Sequence, residues 1–261
     1  MQLKDRVAII TGAGSGIGRS TAMLFAAEGA RVALVGRTES KLAEVAGRIA
    51  SDCAAGEALV APADVSSPEQ MERAVAAAVE RWGRVDCVFA NAGINGMNCP
   101  VEEMTPEEWD QTLDTNLKGT FLTVKYAVPH LKKQGGSIVI CSSVNGTRMF
   151  SLAGKSAYAT SKAAQLAFGK MIALELARWR IRVNVICPGG VETDIGERTW
   201  RRNLEKIEIP RSFPQGARLL AGRAASPEQV ARLVLFLCSD AADHITGTPV
   251  WIDGGESLLI G

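Results

Sequence analysis

Tyr158 and Lys162 stand four residues apart in Ala157-Tyr158-Ala159-Thr160-Ser161-Lys162, a run of otherwise small residues. On a helix that spacing puts the phenol and the ammonium on one face. A phenol with its ordinary pKa near 10 is a usable acid at neutral pH and a poor base. An ammonium beside it stabilises the phenolate, lowers that pKa and eases proton exchange with a substrate oxygen. The same spacing also describes a Tyr–Lys pair on a solvated helix face. Upstream, Ser142 and Ser143 follow the β-rich run Ser137–Cys141. That is the strand edge on which α/β folds bind ligands.

A second stretch suits a different task. Thr11-Gly12-Ala13-Gly14-Ser15-Gly16-Ile17-Gly18 lies between the β-rich run Val7–Thr11 and a helical pattern over Ile17–Glu28. Glycines there let the backbone approach a pyrophosphate, and the helix N-terminus supplies N–H groups and a positive dipole. The spacing departs from G-x-G-x-x-G, whose third glycine would fall on Ile17, and no Gly-Lys-Ser/Thr follows. A flexible βα loop is the other reading. At the end of the second strand, Leu34-Val35-Gly36-Arg37-Thr38 has no carboxylate at position 36. A 2′-phosphate would meet no repulsion there and Arg37 can pair with it, so NADP(H) is expected, with NAD(H) the alternative. Glu39 opposes that expectation if it turns inward, and Arg37 can also stack on adenine.

These residues need elements to position them. Short apolar runs alternate with longer amphipathic ones from Val7 to Ile252. Ser67-Pro68, Thr105-Pro106 and Ser226-Pro227 each read as an N-cap followed by proline at the first helical position. Helix is predicted over Ser156–Trp179 and strand over Ile181–Cys187. The alternation predicts an α/β fold: one domain, a doubly wound parallel sheet of about seven strands with helices on both faces. No repeat, low-complexity block or linker divides the chain.

Bulk properties exclude other classes. The chain has 261 residues, 47% of them hydrophobic, and a net charge of +1. That balance offers no basic footprint for nucleic acid and no polybasic membrane patch. The six cysteines form no C-x-x-C pair, and His130 and His244 are isolated, so no metal site is expected. Met1–Arg6 has no apolar leader and no run approaches a membrane span, which with buried, reduced thiols predicts a cytoplasmic location.

The motifs together resemble the short-chain dehydrogenase/reductase family. T-G-x-x-x-G-x-G is carried by Gly12, Gly16 and Gly18, followed in order by Asp64-Val65, Asn91-Ala92-Gly93 and Asn116-Leu117-Lys118-Gly119. Then come Ser142-Ser143, Tyr158-x-x-x-Lys162, Pro188-Gly189 with Thr193, and Ile245-Thr246-Gly247 with Asp253-Gly254-Gly255. The resemblance spans essentially the whole chain and implies a Rossmann-like NAD(P)-binding domain. It implies Tyr158 as acid/base, Lys162 as its partner and holder of the nicotinamide ribose, Ser143 polarising the substrate oxygen, and Asn116 anchoring a relay water. Ser143 is chosen over Ser142 because Ser143-Val144-Asn145-Gly146 matches the family's S-x-x-G. For the cofactor it implies Gly12, Ser15, Gly16, Ile17 and Gly18 around the pyrophosphate, with Asp64 and Val65 flanking the adenine. Asn91 and Gly93 would line the path, Val191 and Thr193 would hold the carboxamide, and Pro188 would also belong to the cofactor-binding set.

The activity so implied is hydride transfer between nicotinamide and a ketone or secondary alcohol. A dinucleotide-binding regulatory protein without turnover, or a lyase or epimerase on the same fold, are the alternatives. Ala-rich helix faces around 156–176 fit the family's habit of homotetramers, and a covered internal face explains them as well. The stretch from Ser143 to Tyr158 is longer than the commonest family spacing and carries Arg148-Met149-Phe150. Residues 194–215 are expected to form a substrate lid. Its charges at i and i+4, Asp194/Arg198, Glu197/Arg201 and Arg201/Glu205, predict a solvated helix.

Overall fold

The computed structural model describes residues 1–53, 56–210 and 222–260. Among them are nine strands: β1 (Val7–Thr11), β2 (Arg31–Gly36), β3 (Glu57–Pro62), β4 (Cys87–Ala90), β5 (Gly96–Asn98), β6 (Gly136–Cys141), β7 (Ile181–Pro188), β8 (Thr199–Arg201) and β9 (Pro249–Ile252). The α-helices are α1 (Gly16–Ala27), α2 (Glu39–Asp52), α3 (Pro68–Trp82), α4 (Pro106–Leu113), α5 (Gly119–Leu131), α6 (Ser156–Ala177), α7 (Pro227–Cys238) and the short α8 (Glu256–Ile260).

Seven strands form one parallel sheet in the order β3-β2-β1-β4-β6-β7-β9. The chain winds outward in one direction from β1 and in the other from β4, as the alternating pattern predicts. Strand side chains alternate between faces. Ile9, Ala33, Val88 and Ile138 point into a core closed by α3, α5 and α6. Ala8, Ile10, Leu34, Phe89 and Val139 point into the opposite core, under α1, α2 and α7. Burial on both faces explains why these strands read as continuous apolar runs rather than as alternating ones.

The three serine/threonine–proline starts behave as read. Ser67 accepts from the Gln70 N–H at 3.4 Å, and Thr105 and Ser226 form reciprocal capping boxes with Glu108 and Gln229. Satisfying these orphan amides fixes where each helix begins.

Two features lie outside the sequence reading. Residues Asp114–Lys118 form a π-helical turn joining α4 to α5, a wider winding that local periodicity does not signal. The expected solvated helix after Thr193 is absent over the described residues. The chain there makes a 3₁₀ turn at Asp194–Arg198, then β8, then another at Leu204–Lys206. β8 pairs in parallel with β5, and the Arg202 guanidinium grips both Glu108 carboxylate oxygens at 2.8 and 2.9 Å. Tertiary pairing thus supplies what weak i,i+4 charge pairs could not. The rest of the expected lid, 211–215, lies outside the described residues.

Candidate active site

The order of strands reverses between β1 and β4, and a groove opens there at their C-terminal ends. Such a crevice is where open α/β sheets take ligands. Gly12, Ser15, Gly16 and Ile17 form one wall; Arg37, Asp64 and Val65 line one end, and Asn91, Gly93 and Thr193 lie along the rest. Gly12 and Gly16 have φ of +68° and +50°, a backbone that side-chain-bearing residues rarely adopt. Gly18 does not line the groove. A Cβ there would fall 2.1 Å from the Gly12 carbonyl, so its role is to let α1 pack against the loop. Pro188 and Val191 are also outside the lining: Pro188 ends β7, and Val191 bridges to Ala225.

Asn91 works inward. Its Nδ2 donates to the Thr11 carbonyl at 3.0 Å, while the Thr11 hydroxyl accepts from the Asn91 and Ala92 N–H groups. The end of β4 is thereby stitched to the glycine loop. Asp64 accepts from both the Ser66 N–H and its hydroxyl; burial pushes this carboxyl up, but the Ser66 bonds and Arg37, 3.9 Å away, hold it below its usual range. Lys41 on α2 also reaches the groove, four residues after Arg37, whereas Glu39 is exposed and not among its lining residues. Lys41 was legible as a helix cation, but its inward reach depends on how α2 leaves β2.

The catalytic candidates converge beyond the far end. A Cβ on Gly93 would stand 3.1 Å from Asn116 Oδ1 and 3.6 Å from Lys162 Nζ, so the groove wall touches both. A bare glycine keeps that approach open. Lys162 is buried, donates to the Cys141 carbonyl at 2.9 Å and lies 5.6 Å from the centre of the Tyr158 ring. Burial pulls its pKa down. Burial likewise pushes the Tyr158 phenol up to about 12, against the stabilising pull of a hydrogen bond from Ser143. The phenol thus stands above its ordinary value, where the sequence spacing predicts it below. Desolvation of the hydroxyl is the largest cause, and the Lys162 ammonium directs a proton at the Cys141 carbonyl.

The two serines divide. Ser142 donates to the Lys162 carbonyl at 2.7 Å and so braces α6, leaving Ser143 beside Tyr158. Asn116 sits in the π-turn with its side chain engaged: Oδ1 accepts from the Ile94 N–H, and Nδ2 donates to the Ile94 carbonyl and the Ser161 hydroxyl. Its carbonyl accepts from Thr120 and Gln165. Of the longer loop, Arg148 stacks on Trp251, Phe150 is exposed, and Met149 borders a second cavity beside the β5–β8 pair.

Among the described residues, no helix is long and apolar enough to cross a membrane and no cluster of His, Cys, Asp or Glu could hold a metal. A family model described as enoyl-(acyl carrier protein) reductase matches residues 12–257. Levodione reductase of Leifsonia aquatica is 37% identical over 256 residues, covering 97% of this chain and 94% of its own. The crystal structure of a 3-ketoacyl-ACP reductase from Sinorhizobium meliloti 1021 matches with a TM-score of 0.92 at 47% identity, covering 97% of this chain and 99% of that one. That of a 3-ketoacyl-(acyl-carrier-protein) reductase from Brucella melitensis complexed with NADH matches at 0.84 and 32% identity, covering 98% and 99%. With the glycine loop, the strand-order reversal and the Tyr–Lys helix in place, the chain belongs to the short-chain dehydrogenase/reductase family of NAD(P)-dependent oxidoreductases.

Proposed function

We infer that this protein reduces a ketone, or oxidises the matching secondary alcohol, with Tyr158 exchanging the proton. The observation that carries this reading is a buried phenol beside the Ser143 hydroxyl, on the helix whose Lys162 meets the groove wall at Gly93. A nicotinamide cofactor supplies the hydride to the carbonyl carbon when bound. Tyr158 gives its proton to the carbonyl oxygen, which Ser143 polarises by donating a hydrogen bond. The phenolate so formed is stabilised by Lys162 and recovers its proton through that ammonium and a water near Asn116. Gly12, Ser15, Gly16 and Ile17 would hold the pyrophosphate, and Thr193 the carboxamide.

Arg37 and Lys41, two cations at the adenine end with Glu39 turned to solvent, favour NADP(H). The Arg37–Asp64 approach and the NADH-bound relative support NAD(H) as the second reading. The segment from Asp194, which borders the groove, would act as a movable cover. Exposed Phe121, Met171 and Leu174 on α5 and α6 are the surface proposed to form a homotetramer, and six buried free cysteines suit the cytoplasm.

The test follows nicotinamide absorbance with both cofactors and a panel that includes levodione, a 3-oxoacyl thioester and simple ketones. Turnover of at least one carbonyl, lost in Tyr158→Phe, is expected. Cofactor binding without turnover of any would instead favour a regulatory protein.

A further inference from the structure

The second cavity, under the β5–β8 pair, has a charge pattern that hydride transfer does not require. Asn98 and Arg201 are register partners across β5 and β8, and both side chains line this cavity with Lys155. Asn98 is 4% exposed, yet its Oδ1 is buried with no hydrogen-bond partner. Lys155 is the residue preceding α6, so the free amides of that helix's first turn lie next to it. The neighbouring Ser156 hydroxyl is buried and also unpartnered. Lys155 Nζ stands 5.4 Å from the centre of the Tyr158 ring, which ties this cavity to the proposed proton donor.

We propose that the cavity takes a substrate bearing a carboxylate, an oxo acid or hydroxy acid, whose carboxylate lies between Lys155 and Arg201 while its carbonyl or hydroxyl meets Tyr158. The proposal rests on the oxidoreductase reading of the site and adds its substrate class. Lys155, half-buried, and Arg201, exposed, line one cavity and repel each other, and burial together with Arg201 pulls the Lys155 pKa down. A carboxylate entering between them reverses both costs and gains charge-assisted hydrogen bonds. The Asn98 amide, whose oxygen and nitrogen can exchange places by a flip, then finds a partner: its NH₂ for a carboxylate, or its oxygen for a hydroxyl. Glu208 and Glu256 also border the cavity. Glu256 accepts from the Gly190 N–H at 3.4 Å, and among the described carboxylates none lies within ion-pair distance of Lys155 or Arg201. The carboxylate itself undergoes no bond change; it fixes which carbonyl of the substrate faces Tyr158.

The experiment uses the full chain saturated with oxidised cofactor, so that a ketone binds without turnover. Calorimetric titration compares 4-oxopentanoate with its methyl ester, and hydroxyacetone phosphate with hydroxyacetone. The acid is expected to bind at least about tenfold more tightly than its ester, the scale of one charge-assisted contact. Lys155→Met and Arg201→Gln should each shrink that ratio about threefold or more, and the double variant should bring it near one. Variants that still bind cofactor as the parent does are folded. Equal affinity for acid and ester, no binding of the acid, or a preference that survives the double variant overturns the proposal. A preference confined to the phosphate pair overturns the carboxylate assignment. Turnover of neutral ketones is read separately. Failure to turn over the oxo acid as well, with reduced cofactor and alongside a strong acid preference, would remove the oxidoreductase reading and leave the anion site standing.

Discussion

A phenol held at about 12 is fully protonated at neutral pH, so in this state Tyr158 is poised to give a proton rather than to take one. The sign for each direction follows. Ketone reduction needs the protonated form, present below that pKa, so its kcat/KM should show no loss from Tyr158 ionisation between about pH 6 and 9. Alcohol oxidation needs the phenolate, so its kcat/KM should rise with pH across the same range. A reduction rate that falls through pH 7–8 in step with a rising oxidation rate would mean a much lower working pKa. Tyr158→Phe should abolish turnover while leaving cofactor affinity within a few-fold, since the ring stays and only the hydroxyl goes. At the other end of the groove, Arg37→Ala should weaken NADP binding by about 1.5–3 kcal/mol, the cost of a lost charged hydrogen bond, and leave NAD nearly untouched. Equal losses for both cofactors, measured by titration, would point to adenine stacking instead.

Elements matter where their spacing leaves no room. The junction of β1 and α1 depends on Gly18, whose added Cβ would meet backbone atoms of Gly12 at 2.1 and 2.7 Å. Gly18→Ala must push α1 off the loop, and overpacking of this kind costs roughly 1–3 kcal/mol. A lowered melting temperature together with weaker cofactor binding is expected; a normal value for both would show that the loop yields freely. On the other side of the site, β8 is held by β5 and by the Arg202 clamp on Glu108. That clamp ties the proposed cover to α4. Arg202→Ala should speed trypsin cleavage after Arg201 in the ligand-free protein, and cofactor with a substrate analogue should slow it severalfold. Cleavage indifferent to ligand would make the segment a fixed wall.

At the scale of the molecule, the sheet buries both faces under helices, yet α6 still presents Met171 and Leu174 to solvent at 75% and 86% exposure. Phe121 on α5 packs edge-on against Phe168 of α6, so these apolar groups lie on adjoining helices. Exposed apolar area of this kind is the basis for the proposed association surface. Leu174→Glu is expected to lower the proposed tetramer to smaller species by sedimentation, with the monomer's core unaffected. An unchanged sedimentation profile would exclude this face as an interface.

The periodic and punctuating residues determined much of this protein by themselves. Apolar runs buried on both faces, serine or threonine before proline at three helix starts, and glycines at the end of β1 are local signals. Their physics acts within a few residues, so a doubly wound sheet and the positions of Tyr158, Lys162 and the glycine loop could be read before any fold was known. What only the tertiary structure decided is everything that depends on distant residues meeting. Burial raises the Tyr158 phenol although a lysine stands four residues away, because desolvation depends on the whole surrounding fold. Ser142 is taken by the Lys162 carbonyl, Lys41 turns into the groove, and charges after Thr193 that suggested a helix instead flank a strand drawn to β5. Asn98 and Arg201 are more than a hundred positions apart in the chain, and only the pairing of β5 with β8 sets them side by side.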